Sequence, residues 1–200
     1  MKKILISILM FLLMISNVYA LTFPINIEDC VVSKKYGRVI LTGWYTQKRY
    51  DHKYARLHRA LDIPANRFVK VRSVERGEVI EVGFDRPDPF KGKDGKTYWK
   101  CGYGNYVKIK NRNGEIWIYA HLDSYKVKEG DRVSEGEVIG KVGSTGLVYS
   151  NGVTRIGNHL HIEKIDENGN RIYTSKDLGR AIKPFIPDQK TGYAFTLGYK

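Results

Sequence analysis

Residues 105–121 read Asn105-Tyr106-Val107-Lys108-Ile109-Lys110-Asn111-Arg112-Asn113-Gly114-Glu115-Ile116-Trp117-Ile118-Tyr119-Ala120-His121. From Tyr106 to Lys110 apolar and basic side chains alternate, the period of a strand that buries one face. Asn113-Gly114 is a strong hairpin turn, because both residue types accept the positive φ that a tight connection demands. Glu115 to His121 returns as the partner strand. The segment predicts an antiparallel β-hairpin.

The same pattern continues on both sides. Phe68–Ser73 alternates, Glu75-Arg76-Gly77 turns, and Glu78–Val82 runs back. Val127, Gly130, Val133, Gly136, Val138, Gly140, Val142, Gly143 and Gly146 mark turns between short strands. His159–Glu163 is a further strand, and Asn168-Gly169 closes a second hairpin. Helical signal is weak, with 174–181 the best short candidate. Short strands without helices between them imply a mainly β fold built from antiparallel sheets, as a sandwich or a barrel. No linker or repeat divides the 200 residues, so one domain is expected over 31–187. Residues 21–30 form a short lead-in and 188–200 a tail.

Residues 1–20, MKKILISILMFLLMISNVYA, carry two lysines, an apolar run and a small-residue end. They read as a secretory signal peptide. The run from Ile4 to Ile15 is short for a spanning helix, so no stable membrane anchor is expected after cleavage. The protein is expected to be exported, to a periplasm in preference to the extracellular medium. Its net charge of +13 falls by two with Lys2 and Lys3. Two readings of that charge stay open, a solvated surface or attraction to an anionic wall polymer. No nucleic-acid motif is visible, so no nucleic-acid partner is expected. The two cysteines, Cys30 and Cys101, are expected to form a disulfide in an oxidising compartment.

The histidines are His52, His58, His121, His159 and His161. His58 and Asp62 are separated by an even spacing that puts both on one strand face. His159 and His161 likewise share a face, with Leu160 turned the other way. His121 ends its strand on the face of Trp117 and Tyr119. Nitrogen and oxygen donors at these spacings suit zinc, and two histidines with one aspartate leave a fourth position for water, a catalytic pattern. His52 is placed outside the metal shell. Glu163 is read as a polar strand residue, with support of a neighbouring ligand as the alternative.

Five segments together carry a resemblance. They are His58–Asp62, Gly102-Tyr103-Gly104-Asn105-Tyr106-Val107, Tyr119-Ala120-His121-Leu122, Val142-Gly143-Ser144-Thr145-Gly146 and Gly157-Asn158-His159-Leu160-His161-Ile162-Glu163. In kind and order they resemble the markers of the lysostaphin-type (LytM-like) zinc metallopeptidases, which are peptidoglycan endopeptidases. The resemblance runs from about Tyr36 to Pro187. It implies a LytM-like domain of antiparallel sheets around a central groove, a duplicated hybrid motif of barrel-sandwich type. It implies that His58, Asp62 and His161 bind Zn2+ and that His121 and His159 are catalytic. Two features depart from the family: Ala60 stands where Gly is usual, and Trp44–Leu57 is longer and more basic. The second bears on substrate choice.

The function expected from this reading is zinc-dependent hydrolysis of peptide crosslinks in peptidoglycan, through activated water assisted by two histidines. The main alternative is a non-catalytic or partner-dependent regulator of wall hydrolases, its regulatory partner unknown. Retention of all five site residues argues against it. A carrier-like domain is disfavoured because no central modified lysine hairpin is present. A protein target in place of peptidoglycan stays open.

Overall fold

The computed structural model describes residues 21–30, 32–33, 38–40, 60–100, 102–148, 157–172, 178 and 196–198. The leader, His52, His58, the Trp44–Leu57 stretch and Cys101 lie outside the described residues. So does the helix candidate 174–181, except Leu178, which is buried in the core.

The described strands are β1 (Val32–Ser33), β2 (Arg38–Ile40), β3 (Leu61–Pro64), β4 (Lys70–Arg72), β5 (Gly77–Asp85), β6 (Asp88–Lys91), β7 (Thr97–Lys100), β8 (Gly104–Lys110), β9 (Ile116–Tyr125), β10 (Arg132–Val133), β11 (Val138–Val142), β12 (His159–Ile165), β13 (Arg171–Ile172) and β14 (Thr196–Gly198). Every pairing among them is antiparallel. The main sheet runs β10-β5-β8-β9-β11-β4, and β12 joins it through β9 while also pairing β3 and β13. The mainly β, antiparallel expectation is borne out.

The β8–β9 hairpin forms as its sequence predicts. Gly114 takes φ +83°, and the Asn111 side-chain oxygen accepts from the backbone N–H of Asn113 and of Glu115, each at 2.9 Å. Glu75 then ties the turn to the core, taking the Asn111 amide at 2.8 Å and the Trp117 indole N–H. Gly169, at φ +84°, closes β12 onto β13 as expected. The hairpin of β6 and β7 was not anticipated, although Asp94-Gly95 is the same kind of turn signal, with Gly95 at φ +74°.

The core is formed by one face of these strands, including Ile63, Val71, Ile109, Trp117, Tyr119, Leu122, Ile139, Leu160 and Ile162. Each fully buried aliphatic side chain contributes roughly 1.5–3 kcal/mol. Tyr119 is buried whole because its hydroxyl accepts the Val74 N–H at 2.8 Å. Cys30 requires a correction. It is a free, buried thiol whose Sγ lies 3.7 Å from the Asn26 carbonyl. The expected bridge is therefore not formed at Cys30. Burial, aided by Asp29 and Glu28, pushes this thiol up to about 12, so it stays protonated and unreactive.

Strand β9 positions the site by changing partner along its length. Ile116 to Ala120 pair with β12, whereas Leu122 to Tyr125 pair with β11. His121 sits between the two registers at φ +59°, a conformation uncommon for a residue with a side chain. The first residue of β12, His159, bridges to Gly143 just beyond β11. The histidines therefore gather where the sheet forks.

Candidate metal centre

Three neighbouring strands carry the described donors. Asp62 on β3 is directly opposite His161 on β12, and His161 is opposite Ala120 on β9, one residue before His121. Since β12 alternates, His159, His161 and Glu163 face one side while Leu160 and Ile162 enter the core. His121, His159 and His161 are all buried, and their donor atoms lie within 4.8 Å of one another. The ring of His121 is 4.9 Å from that of His159 and 5.4 Å from that of His161. Asp62 Oδ1 is 2.8 Å from His161 Nδ1 and 3.7 Å from His159 Nε2.

Hydrogen bonds orient each ring. His121 Nδ1 meets the Thr145 carbonyl at 2.9 Å, and His159 Nδ1 meets the Gly157 carbonyl at 2.6 Å. A carbonyl only accepts, so both Nδ1 atoms carry hydrogen and Nε2 is the nitrogen left facing the site. His161 is reversed: Nε2 meets Glu163 Oε1 at 3.0 Å, and Nδ1 faces Asp62.

Around His121 the packing is tight. Thr145 Oγ1 donates to the Leu122 carbonyl at 2.7 Å and accepts from the Asn105 N–H at 2.9 Å. Gly104 and Gly146 let these segments touch. A Cβ on Gly104 would lie 2.3 Å from the Thr145 carbonyl carbon, and one on Gly146 would lie 2.3 Å from the Gly104 nitrogen. The glycine-rich marker segments around Tyr103 and Thr145 thus form one clasp, closed by Leu147 N–H on the Gly102 carbonyl at 3.0 Å. The His121 N–H in turn donates to the Tyr103 carbonyl at 2.8 Å.

The electrostatics separate the rings. Burial, with His161 and His159 beside it, lowers His121 to about 3, so it is neutral at working pH. Burial opposes the charged form of His161 too, but its hydrogen bonds to Asp62 and Glu163 prevail and raise it to about 9. Two carboxylates bracket this imidazole, so the position between Asp62 and His161 calls for a cation, either a proton or a metal ion. Three buried imidazoles, each oriented by a carbonyl or by Glu163, with the Asp62 carboxylate beside them, fit zinc.

The structure brings together Asp62, His121, His159 and His161, four of the five residues that the resemblance singled out; His58 lies outside the described residues. Ala60, the residue between His58 and Asp62 that departs from glycine, is buried. The reading of Glu163 as a plain polar strand residue is overturned. Its side chain is 7% exposed and contacts His161, Arg171 and Tyr103. The i, i+2 spacing from His161 was the available signal. Arg171 and the hydroxyl of Tyr103 were missed, because they meet Glu163 from β13 and from the segment before β8.

Comparison with known proteins agrees with this geometry. The model of Peptidase family M23 matches residues 56–173. DD-carboxypeptidase/endopeptidase Mpg of Neisseria meningitidis serogroup B is 39% identical over 138 residues, covering 69% of this chain and 26% of Mpg. The chain thus spans about a quarter of that relative's length. Peptidoglycan DD-endopeptidase ShyC of Vibrio cholerae is 45% identical over 60 residues, 30% of this chain and 12% of ShyC. The fold is similar to the antimicrobial peptidase lysostaphin from Staphylococcus simulans, with a TM-score of 0.53 at 25% identity, covering 77% of this chain and 52% of lysostaphin. A zinc-containing peptidase from Vibrio cholerae gives 0.52 at 25% identity, over 75% of this chain and 39% of that one. With the family model spanning more than half of the chain and the fork of β9 carrying its donors, this protein belongs to Peptidase family M23.

Proposed function

We propose that this chain is an exported zinc-dependent endopeptidase that hydrolyses peptide crosslinks of peptidoglycan, acting in the periplasm. The observation that carries the reading is the convergence of Asp62, His121, His159 and His161 at the fork of β9, with Nδ1 of His121 and of His159 each fixed on a main-chain carbonyl. The relatives named for peptidoglycan or DD-endopeptidase activity support the substrate class. Two of them, Mpg and ShyC, are named for DD-endopeptidase activity, which supports a crosslink of the DD class.

Asp62 and His161, with His58, would hold the metal. Zinc, when bound, polarises the scissile carbonyl and lowers the pKa of water to around 7. His121 and His159 supply the proton traffic. Each fixes its Nδ1–H on a main-chain carbonyl, so Nε2 is the working nitrogen. A neutral Nε2 accepts a proton from the attacking water and, once protonated, gives it to the departing amine. The second ring, its centroid 4.9 Å away, donates from Nε2 to the oxyanion that develops on the carbonyl when that nitrogen carries a proton in addition to the one on Nδ1. If the net positive charge draws the protein to an anionic polymer, one of its two open readings, it does so over about 10 Å at ordinary salt.

Digestion of purified sacculi, followed by mass spectrometry of the muropeptides, tests this. Loss of crosslinked dimers that a chelator prevents is the expected result, and product masses identify the bond. Unchanged muropeptides from folded, zinc-loaded protein would refute it.

A further inference from the structure

We propose that Arg171, together with Tyr103, is a positioning residue of the metal centre, holding the Glu163 carboxylate so that it fixes the ring of His161. The inference rests on the reading of His161 as a zinc ligand. Glu163 Oε1 takes the Nε2 side of His161 at 3.0 Å. Its other oxygen, Oε2, receives Arg171 Nε at 2.5 Å and the Tyr103 hydroxyl at 3.1 Å. Arg171 Nη2 donates to that hydroxyl at 2.9 Å, which closes a ring of three side chains. Both carboxylate oxygens are thereby committed, and the one facing His161 has a single orientation.

The consequence for His161 is geometric. A carboxylate accepts from Nε2–H, so with Nε2 occupied in this way the Nδ1 lone pair, on the side of Asp62, is the one that would ligate a metal. A glutamate alone has three side-chain torsions, and its hold on an imidazole is only as good as its own restraint. Arg171 supplies that restraint with two differently directed N–H groups, a geometry that an ammonium cannot reproduce. Tyr103 extends it to the other side of the site. Its ring centroid is 6.0 Å from that of His161, and its main-chain carbonyl takes the His121 N–H. One residue thus touches both the proposed ligand and a proposed catalytic histidine. Arg171 lies beyond the five marker segments, on the return strand after Asn168-Gly169, so only the fold brings it here.

The test compares the unaltered protein with R171M, R171K and Y103F. Zinc affinity is measured by competition with a fluorescent chelator. The His161 tautomer in the zinc-loaded protein is read from long-range 1H–15N NMR. R171M is expected to weaken zinc binding by about 10–100-fold, the usual cost of losing a group that orients a ligand, and to broaden or shift the His161 nitrogens. R171K should recover part of the loss, and Y103F, which keeps the Arg171–Glu163 contact, should lose less than R171M. Should R171M fail to fold, weakened affinity in R171K and Y103F supports the proposal and unchanged affinity in both overturns it. A folded R171M with unaltered affinity and tautomer overturns the clamp alone. Zinc that shifts neither nitrogen of His161 in the unaltered protein overturns the ligand reading beneath it, and the inference with it.

Discussion

His121 Nδ1 lies 2.9 Å from the carbonyl oxygen of Thr145, and this bond joins the fork of β9 to the loop that follows β11. The two residues are 24 positions apart. Their contact sets the tautomer of His121 and holds its unusual backbone conformation in place.

Replacing His121 or His159 by alanine should separate chemistry from metal binding. Each variant is expected to lose about 10²–10⁴-fold in kcat while zinc content by atomic absorption stays at one per chain. Loss of zinc in H121A would move that residue into the ligand set.

Asp62→Asn leaves a similar volume beside His161 but removes the charge 2.8 Å from its Nδ1. Zinc affinity should fall steeply, and activity should return only at raised zinc concentration. Titration with the metal, following both binding and cleavage, checks this. Equal affinity in the variant would exclude Asp62 as a ligand.

Gly146→Ala tests the clasp. The residue has φ +77°, and an added Cβ would lie 2.3 Å from the Gly104 nitrogen and 2.5 Å from the Gly102 carbonyl oxygen. Strain of this kind costs about 1–3 kcal/mol before the clash itself is counted. Urea unfolding should report at least that loss, and the remaining folded protein should be less active because Thr145 no longer holds His121. Unaltered stability would mean that the clasp relaxes without cost.

A pH test is available away from the centre. Lys108 Nζ donates to Glu81 at 2.7 Å, and the Tyr106 hydroxyl donates to the same carboxylate, joining β8 to β5. These bonds, Lys108 first, hold Glu81 below its ordinary value of 4.5. A depressed folded-state pKa contributes stability above the unfolded value that disappears as pH falls through the folded one. The pair is partly exposed, so its worth is about 0.5–1 kcal/mol. Glu81→Gln should be less stable than the unaltered protein by that amount at pH 7, and the difference should vanish in acid and shrink in high salt. A difference independent of pH would assign it to packing.

Metal removal should act on stability as well as on catalysis. A ligand that binds only the folded state stabilises it by mass action, about 4 kcal/mol at a thousandfold excess over Kd. The chelated protein should therefore melt at a lower temperature, and added zinc should restore both melting temperature and cleavage. Identical melting with and without chelator would argue against a metal at the fork.

Strands and turns could be read from the chain because their signals are local, and the site residues through the resemblance that their motifs carry. The alternation of Tyr106 to Lys110, the Asn113-Gly114 pair and the same-face spacing of His159 and His161 each depend on neighbours only. The β6–β7 hairpin went unread although Asp94-Gly95 announced it. The expected Cys30–Cys101 bridge is not formed at Cys30, whose Sγ lies against the Asn26 carbonyl, a contact that no local pattern signals.

By itself the chain determined an antiparallel β protein with donors of zinc type on two of its strands, since side-chain period and residue chemistry are written along it. Only the tertiary structure decided that β9 changes partner at His121, that Gly104 and Gly146 let two loops clasp that residue, and that Arg171 and Tyr103 reach Glu163. Those are contacts across long sequence separations. Their geometry is fixed by register and close packing, which no local pattern encodes.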